Sequence, residues 1–247
     1  MYEVTSLLAG YPGTTRWHGG LGWSSVLPLQ DGQRTALIDT GGPNLRPRLL
    51  AALRERSLAP DDVTGVLITH CHWDHVGNFN LFPAARITVG GQELAWARRQ
   101  PAGVFDLADL HVEHLGSGRW PLTLADDGDE VLPGVTVLAT PGHTPGHCAY
   151  RISTATGPVL FTGEAVKNRH ELHTGEVALT LDEVASHASI ERVRHELLAD
   201  PAATLIPGHD VQTRLTPSGP RPLRPIRAEI SAWVRDATTP TVFELDR

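Results

Sequence analysis

The sequence contains only two cysteines, Cys71 and Cys148, and no apolar run that approaches the roughly 20 residues needed by a membrane-spanning helix. Two thiols are too few for a disulfide framework, and free thiols suit a reducing compartment. Residues 1–5 lack the basic and apolar regions with which a secretory signal begins. We therefore expect a cytoplasmic protein without a membrane partner.

Positive charge is also scarce, because 21 Lys and Arg face 28 Asp and Glu, for a formal net charge of -7. Proteins that bind nucleic acids usually gather an excess of Lys and Arg on one face, so this balance argues against a nucleic-acid partner. A small basic cluster, Arg221, Arg224 and Arg227, is interleaved with prolines, and we interpret it as a solvated turn and helix start.

Internal repeats and low-complexity linkers are absent, and we predict a single domain over residues 1–247. Residues 22–29 and 34–39 flank Asp31-Gly32 and predict a β-hairpin. Many short strands follow one another without an intervening helix, which favours a mixed sheet layered between helices. Further strands are predicted at 63–69, 86–89, 111–115, 120–125, 135–139, 147–153, 158–162 and 203–206, and helices at 43–57, 91–99, 181–199 and 222–236.

The most informative segment is residues 69–78, which place His70, His72, Asp74 and His75 within six positions. Histidine nitrogen and carboxylate oxygen are ligands that zinc and iron accept from proteins. Cys71 stands between two of these histidines, and we interpret it as a packing residue, because neighbours in an extended segment point to opposite sides. The segment therefore predicts a metal site.

Three later segments each combine an apolar strand, a tight glycine turn and a metal-capable residue. They end at His143, Glu164 and His209. Glycine allows the backbone to turn sharply, so each strand end can direct one side chain toward a common point. Together with the histidine segment, they predict one metal centre built from several strand ends.

These motifs resemble the metallo-β-lactamase superfamily, whose signature is Thr-His-x-His-x-Asp-His followed by a downstream His, a Gly-Asp and a final Gly-His. Residues 140–147, Thr-Pro-Gly-His-Thr-Pro-Gly-His, are similar to the glyoxalase II and acyl-homoserine lactonase branches. Residues 38–82 are similar to the small metallo-β-lactamase-domain proteins of the MBLAC type. The resemblance implies an α/β fold, a four-layer αβ/βα sandwich with mixed β-sheets and the metals at one edge.

The resemblance also implies two divalent metal ions, most simply zinc, with iron or manganese as alternatives. It puts Glu164 where the family usually has a bridging Asp, and the longer side chain leaves open whether it bridges or binds one ion only. Asp39 is implied to support the site, although capping a helix is an equal alternative, and His147 to pack or hydrogen-bond behind a ligand. The implied ligands are His70, His72 and His143 for one ion, and Asp74, His75 and His209 for the other.

Hydrolysis is the implied reaction, with a metal-bound hydroxide attacking an ester, lactone, thioester or related acyl bond. Asp74 is the candidate catalytic residue that moves a proton to the leaving group. The lactonase branch carries a Tyr shortly after the bridging carboxylate, where this chain has Ala165, Val166 and Lys167. Only about 38 residues follow His209, too few for the C-terminal domain of glyoxalase II.

Other reactions remain alternatives. Persulfide dioxygenases resemble this motif, including a His-Cys-His start, yet bind a single iron, and Glu164 favours them if it weakens binding of a second ion. A nuclease is opposed by the net charge of -7, and a β-lactamase by the carboxylate of Glu164.

We expect a small-molecule substrate between the hairpin and the irregular segment 165–175. Trp17, His18 and Trp23 are candidate substrate residues, although aromatic side chains there could equally be packing. Lys167 and Arg169 suggest that the substrate carries an anionic group. The expected oligomeric state is a monomer or a homodimer.

Overall fold

The computed structural model describes residues 2–15, 19–32, 34–104, 106–225, 228–236 and 238–245. Its strands are β1 Thr14–Thr15, β2 Gly19–Gly20, β3 Leu27–Gln30, β4 Thr35–Ile38, β5 Gly65–Leu67, β6 Arg86–Gly90, β7 Leu122–Ala125, β8 Glu130–Leu132, β9 Val135–Ala139, β10 Cys148–Ile152, β11 Val159–Phe161, β12 Thr204–Ile206, β13 Thr213–Thr216, β14 Gly219–Pro222, β15 Glu229–Ala232 and β16 Thr241–Glu244. Its α-helices are α1 Arg46–Glu55, α2 Trp73–Val76, α3 Gly91–Ala97, α4 Asp109–Leu115, α5 Arg169–Thr174 and α6 Glu183–Ala199.

The first sheet has five strands in the order β3-β4-β5-β6-β7. The predicted hairpin is present as the antiparallel pair β3 and β4, which turns at Gly32 with a φ of 85°. From β4 to β7 the strands run parallel, so their carboxyl ends lie at one edge of the sheet. Asp39 and the histidine segment both follow strands at this edge.

The second sheet has seven strands in the order β14-β13-β12-β11-β10-β9-β8. All its pairs are antiparallel except β11 with β12. Residues 140–147 form the turn between β9 and β10, and a short 3-10 helix, Gly163–Ala165, follows β11. These turns place His143 and Glu164 at the edge where the parallel strands of the first sheet end.

Successive side chains along the strands face opposite apolar layers, as the two-residue period of a strand requires. Val66 belongs to the apolar cluster that contains Leu53 of α1, whereas Leu67 belongs to the cluster that contains Phe161 of the second sheet. Leu160 packs in a third cluster with residues of α5 and α6. The order of layers is therefore helices, first sheet, second sheet, helices, and the predicted αβ/βα sandwich with mixed sheets is confirmed.

Two predicted elements are wrong. The segment 111–115, predicted as a strand, lies in the helix α4, because Val112 and Leu115 are both buried at the three-residue spacing of one helical face. The segment 222–236, predicted as a helix, contains the strand β15, which pairs with β16. Residues 226–227 of that prediction lie outside the described residues. In β15, partly buried and exposed residues alternate, which is the pattern of a strand.

Segment 165–175, predicted as irregular, contains the short helix α5. The side chain of Asn168 caps this helix by accepting a hydrogen bond from the Glu171 N–H. Gly175 ends it in the left-handed conformation with a φ of 80°.

Among the described residues, no helix is both long enough and apolar enough to cross a lipid bilayer.

Candidate metal centre

Side chains from both sheets meet where the strands end. The first sheet supplies two that follow β5 and two that lie on α2, and the second sheet supplies one each after β9, β11 and β12. Their metal-capable atoms form two groups, each with all atoms within 4.8 Å of one another. The first cluster is His70, His72 and His143, and the second cluster is Asp74, His75, Glu164 and His209.

Two buried nitrogen atoms show that this donor set fits metal ions. In the described part of the chain, His70 Nε2 and His75 Nε2 are the buried side-chain atoms without a hydrogen-bond partner. Buried polar atoms are almost always paired, so each exception needs an explanation. Imidazole nitrogen is a common metal ligand, and a metal ion in each cluster would supply the missing partner.

The carboxylate of Glu164 lies between the two clusters. Its Oε1 is 2.6 Å from His209 Nε2 and 3.7 Å from His75 Nε2, on the side of the second cluster. Its Oε2 is 3.0 Å from His143 Nε2, a member of the first cluster. The additional methylene of Glu, compared with the usual Asp, therefore still leaves one oxygen facing each cluster.

The histidines of the first cluster are uncharged. Burial lowers the pKa of His70 well below its ordinary value and the pKa of His72 to about 3. Burial also lowers the pKa of His143, against the opposing effect of Glu164. A neutral imidazole offers its lone pair to a metal without first losing a proton.

The second cluster combines cationic histidines with carboxylates. Burial alone would lower the pKa of His209, but Glu164 and Asp74 raise it to about 9. Against the same effect of burial, Asp74 and Asp39 raise the pKa of His75 well above its ordinary value. His75 Nε2 lies 3.6 Å from Asp74 and 3.7 Å from Glu164, too far for a hydrogen bond but close enough for charge attraction.

Asp39 supports the second cluster from behind. Its Oδ1 accepts the Thr69 N–H at 2.8 Å, and its Oδ2 accepts the Thr69 hydroxyl at 2.8 Å. The same Oδ2 lies 2.7 Å from His75 Nδ1. Asp39 has a φ of 55°, in the left-handed region that a non-glycine residue seldom adopts. Its contacts are those of a residue that orients a ligand histidine, and not of a helix cap.

His147 holds the backbone of Glu164. The Glu164 N–H donates to His147 Nε2 at 3.0 Å, so the proton of this ring lies on Nδ1, which is 2.8 Å from the Thr140 hydroxyl. A Cβ on Gly163 would lie 2.9 Å from His147 Nε2, and Gly163 has a φ of 46°. Glycine is therefore required for Glu164 to approach this histidine.

The predicted substrate residues differ in their surroundings. Trp17 and His18 lie outside the described residues. Trp23 stacks on Tyr11 with ring centroids 5.1 Å apart. Lys167 Nζ lies 3.7 Å from Glu164 Oε2, at the metal centre, and 3.3 Å from a second carboxylate oxygen, Glu171 Oε1.

Arg169, the other predicted cation, is held by a neighbour of His209. Its Nε donates to Asp210 Oδ2 at 2.8 Å, and its backbone N–H donates to the same oxygen at 3.0 Å. This pair fixes the start of α5 beside the second cluster. The roles of these residues in substrate binding stay predictions.

Two acidic residues near the centre were missed by the sequence reasoning. Asp106 accepts a hydrogen bond from Trp73 Nε1 at 3.2 Å, and burial, with smaller contributions from Asp74 and Glu164, raises its pKa. No ligand spacing marks it in the sequence. Glu93 is fully buried, and burial raises its pKa to about 7. The sequence offered one signal for Glu93, since this acidic residue shares a helical face with the apolar Ala97, four positions later.

Comparison with known proteins gives a consistent family. Residues 20–209 match the profile of the Metallo-beta-lactamase superfamily. Metallo-beta-lactamase domain-containing protein 1 of Homo sapiens is 35% identical over 189 residues, which cover 75% of this chain and 62% of that protein. An N-acyl homoserine lactonase of Bacillus sp. is 28% identical over 169 residues, which cover 67% of this chain and 63% of that protein. The matches thus span less than two thirds of the length of either relative.

A solved structure shows the same fold. It is AidC, a dizinc quorum-quenching lactonase in complex with the product N-hexanoyl-L-homoserine. The TM-score is 0.68 at 19% sequence identity, and the match covers 81% of this chain and 79% of that chain.

Proposed function

We propose that this chain, which belongs to the metallo-β-lactamase superfamily, is a metal-dependent hydrolase that cleaves an ester, lactone, thioester or related acyl bond of a small molecule. In this proposal residues 1–247 act as one domain, as a monomer or a homodimer, and without nucleic acid. The two free, buried cysteines support a cytoplasmic location.

The observation that carries the proposal is the position of Glu164, with one carboxylate oxygen toward each ligand cluster. His70, His72 and His143 would hold one divalent ion, and Asp74, His75 and His209 the other. Zinc suits this set of histidine and carboxylate ligands, and iron or manganese are the alternatives. When bound, the ions lower the pKa of a water ligand and polarise the substrate carbonyl.

Asp74 is the residue that we assign to proton movement. Burial would raise its pKa, but His75 and His209 lower it, so the carboxylate is ionised near neutral pH. Its Oδ2 lies 3.3 Å from His209 Nε2, on the side of the second cluster. An ionised carboxylate at this point accepts the proton released by the attacking water and returns it to the leaving group.

Lys167 is the residue that we assign to an anionic group of the substrate. Its ammonium is within 3.7 Å of Glu164 and is held there by Glu171. A buried cation next to the reacting carbonyl would attract a carboxylate or phosphate group. Arg169, Trp23, Trp17 and His18 complete the proposed substrate surface.

Lys167→Met tests this assignment, because methionine keeps a similar length without the charge. We expect the KM for a carboxylate-bearing acyl substrate to rise about tenfold, which corresponds to loss of one charged contact. The KM for a neutral analogue with the same acyl group should not change. Equal changes for both substrates would remove the anion-binding role.

Metal analysis together with a substrate panel tests the proposed reaction. We expect two divalent ions per chain and hydrolysis of at least one ester, lactone or thioester. His72→Ala should lower kcat/KM by about 10³-fold or more, since loss of a metal removes several kcal/mol of transition-state stabilisation. His195→Ala, at an exposed position on α6, is the matched control and should leave kcat/KM unchanged.

The rival reactions are distinct outcomes of the same panel. One iron per chain, with oxygen uptake on glutathione persulfide, would contradict the proposal and indicate a dioxygenase. Activity confined to RNA, DNA or a β-lactam would also contradict it.

A further inference from the structure

The carboxylate of Glu93 is fully enclosed between two loops, although it lies on α3 and outside both ligand clusters. Its Oε1 accepts the Cys71 N–H at 2.8 Å. Its Oε2 accepts the Thr144 hydroxyl at 2.7 Å and the Gly146 N–H at 3.2 Å. One side chain therefore joins two segments that are far apart in the sequence.

These two segments supply the whole first cluster. Cys71 lies between His70 and His72, and Thr144 directly follows His143. Among the second-cluster ligands, Asp74 and His75 lie three and four positions after Cys71, whereas Glu164 and His209 come from other segments. The residues that Glu93 contacts are therefore closer in the sequence to the ligands of the first cluster than to those of the second.

Close packing fixes the position of Glu93 against the second segment. A Cβ on Gly146 would lie 1.9 Å from the Glu93 backbone nitrogen, and a Cβ on Gly90 would lie 2.7 Å from the Gly146 carbonyl oxygen. Such distances exclude any side chain at these positions without movement of the backbone. The start of α3 and the turn that carries His143 are thus in direct backbone contact.

Packing alone does not account for a carboxylate at this place. Glu93 shares its helical face with Leu94 and Ala97, which lie in the apolar core. An ionisable group in such surroundings is unfavourable unless its oxygen atoms are paired. The three hydrogen bonds meet this requirement, and they join the ligand-bearing segments to each other and to the helix.

We propose that Glu93 is a positioning residue of the metal centre, which holds the His70–His72 segment and the His143 turn at the separation that binding of an ion in the first cluster requires. The inference rests on the metal binding that belongs to the proposed function. Glu93 itself contacts neither the ion nor the substrate in this assignment.

The test measures the Zn²⁺ affinity of the first cluster alone, by competition with a chromophoric chelator. A His209→Ala background removes a ligand of the second cluster and isolates the first. Glu93→Gln keeps the side-chain length but replaces one acceptor oxygen with an amide donor, so the N–H groups of Cys71 and Gly146 cannot both be paired. We expect Zn²⁺ binding to weaken about 10- to 100-fold. An unchanged affinity would overturn the proposal.

The reverse background separates positioning from a general loss of stability. His72→Ala breaks the first cluster and leaves the second to bind Zn²⁺. In that background Glu93→Gln should leave the affinity unchanged. An equal loss in both backgrounds would indicate a purely structural role and would overturn the proposal.

Asp210→Asn is a matched control. Asp210 is also a buried carboxylate that accepts hydrogen bonds from two backbone N–H groups, those of Arg169 and Val211. Both partners lie outside the segments that carry His70, His72 and His143. Its replacement should leave the Zn²⁺ affinity of the first cluster unchanged, and a loss equal to that of Glu93→Gln would count against the assignment.

A second variant keeps the test decisive if Glu93→Gln does not fold. Thr144→Val removes one donor to Glu93 and preserves the shape of the residue, so we expect a loss of about three- to tenfold in the same direction. No loss in this folded variant would overturn the proposal.

A chain that binds Zn²⁺ in both clusters but hydrolyses no acyl bond would defeat the proposed function and leave the role of Glu93 intact.

Discussion

The two ligand clusters lie side by side at the same edge of the sandwich, yet their histidines differ in charge before any ion binds. In the first cluster, burial outweighs the opposing effects of Glu164 and Asp74 and lowers the pKa of His72 to about 3. In the second cluster, burial acts on His209 in the same direction, but two carboxylates raise its pKa to about 9. The histidine side chain is the same, so the difference comes from the neighbours.

This difference indicates how the protein can treat the two ions unequally. A neutral histidine cluster binds a cation without losing protons, whereas the second cluster must release protons but gains from its negative carboxylates. Glu164 takes part in both environments, since its oxygen atoms face His143 and His209. A change in the charge of Glu164 should therefore have the largest effect on the difference between the two clusters.

Neutralising Glu164 should have the largest effect. Glu164→Gln keeps the shape but removes the charge that stabilises cations in both clusters, so we expect loss of the second ion and a fall in kcat/KM of about 10³-fold. Elemental analysis and steady-state kinetics measure the two outcomes. Glu176→Gln, at an exposed glutamate, is the control. Two retained ions with full activity would show that the carboxylate charge is not needed.

The pH dependence of metal affinity should separate the clusters next. His209 is protonated below a pKa of about 9 in the metal-free chain, and only the neutral ring binds a metal. Raising the pH removes this competing proton and also the proton favoured by the raised pKa of His75, so the affinity of the second cluster should rise at least about tenfold per unit, or at least about 100-fold from pH 6 to 8. The affinity of the first cluster should stay nearly constant over this range.

Single-cluster variants provide the measurement. His72→Ala leaves the second cluster and His209→Ala leaves the first, and Zn²⁺ titrations at each pH give the two slopes. Equal slopes would contradict the difference in protonation.

Asp39→Asn should have the smallest effect of the three. The amide cannot replace both acceptor oxygens, so the Thr69 contacts and the charge beside His75 are partly lost. We expect the free energy of unfolding of the metal-free chain to fall by about 2 kcal/mol, as for a hydrogen bond to a charged group. The pKa of His75 should also fall, which makes the second cluster more similar to the first.

Urea unfolding and an NMR titration of the His75 ring check these two changes. Asp61→Asn, at an exposed aspartate, is the control and should change neither. A stable Asp39→Asn variant with an unchanged His75 pKa would mean that Asp74 alone charges this histidine.

Local patterns in the sequence were sufficient to predict which metal-capable side chains come together. His70 to His75 lie within one short segment, and the turns before His143, Glu164 and His209 each follow an apolar strand and contain glycine. Strand ends in such a sandwich meet at one edge, so the type of each residue and its place after a strand identified the cluster. The fold followed from the same pattern and from the resemblance that it carried.

The errors and omissions arose where a short segment fits two structures or where contacts are distant. Residues 111–115 are a short run of mixed polar and apolar residues, and the joint burial of Val112 and Leu115 shows that they are helical. Glu93 was missed because its partners, Cys71 and Thr144, come from segments 22 and 51 positions away. Such contacts are fixed by the packing of α3 on the loops, and no spacing in the sequence reveals them.

Because each cluster takes ligands from both sheets, bound ions would act as cross-links between the two halves of the sandwich. His72 and His143 follow strands of different sheets, as do His75 and His209. The chain can complete the first cluster only after the turn that follows β9 and carries His143 has formed, and the second cluster only after the turn that follows β12 and carries His209 has formed. We therefore expect the ions to be acquired late in folding, and their removal to loosen the boundary between the sheets before either sheet itself unfolds.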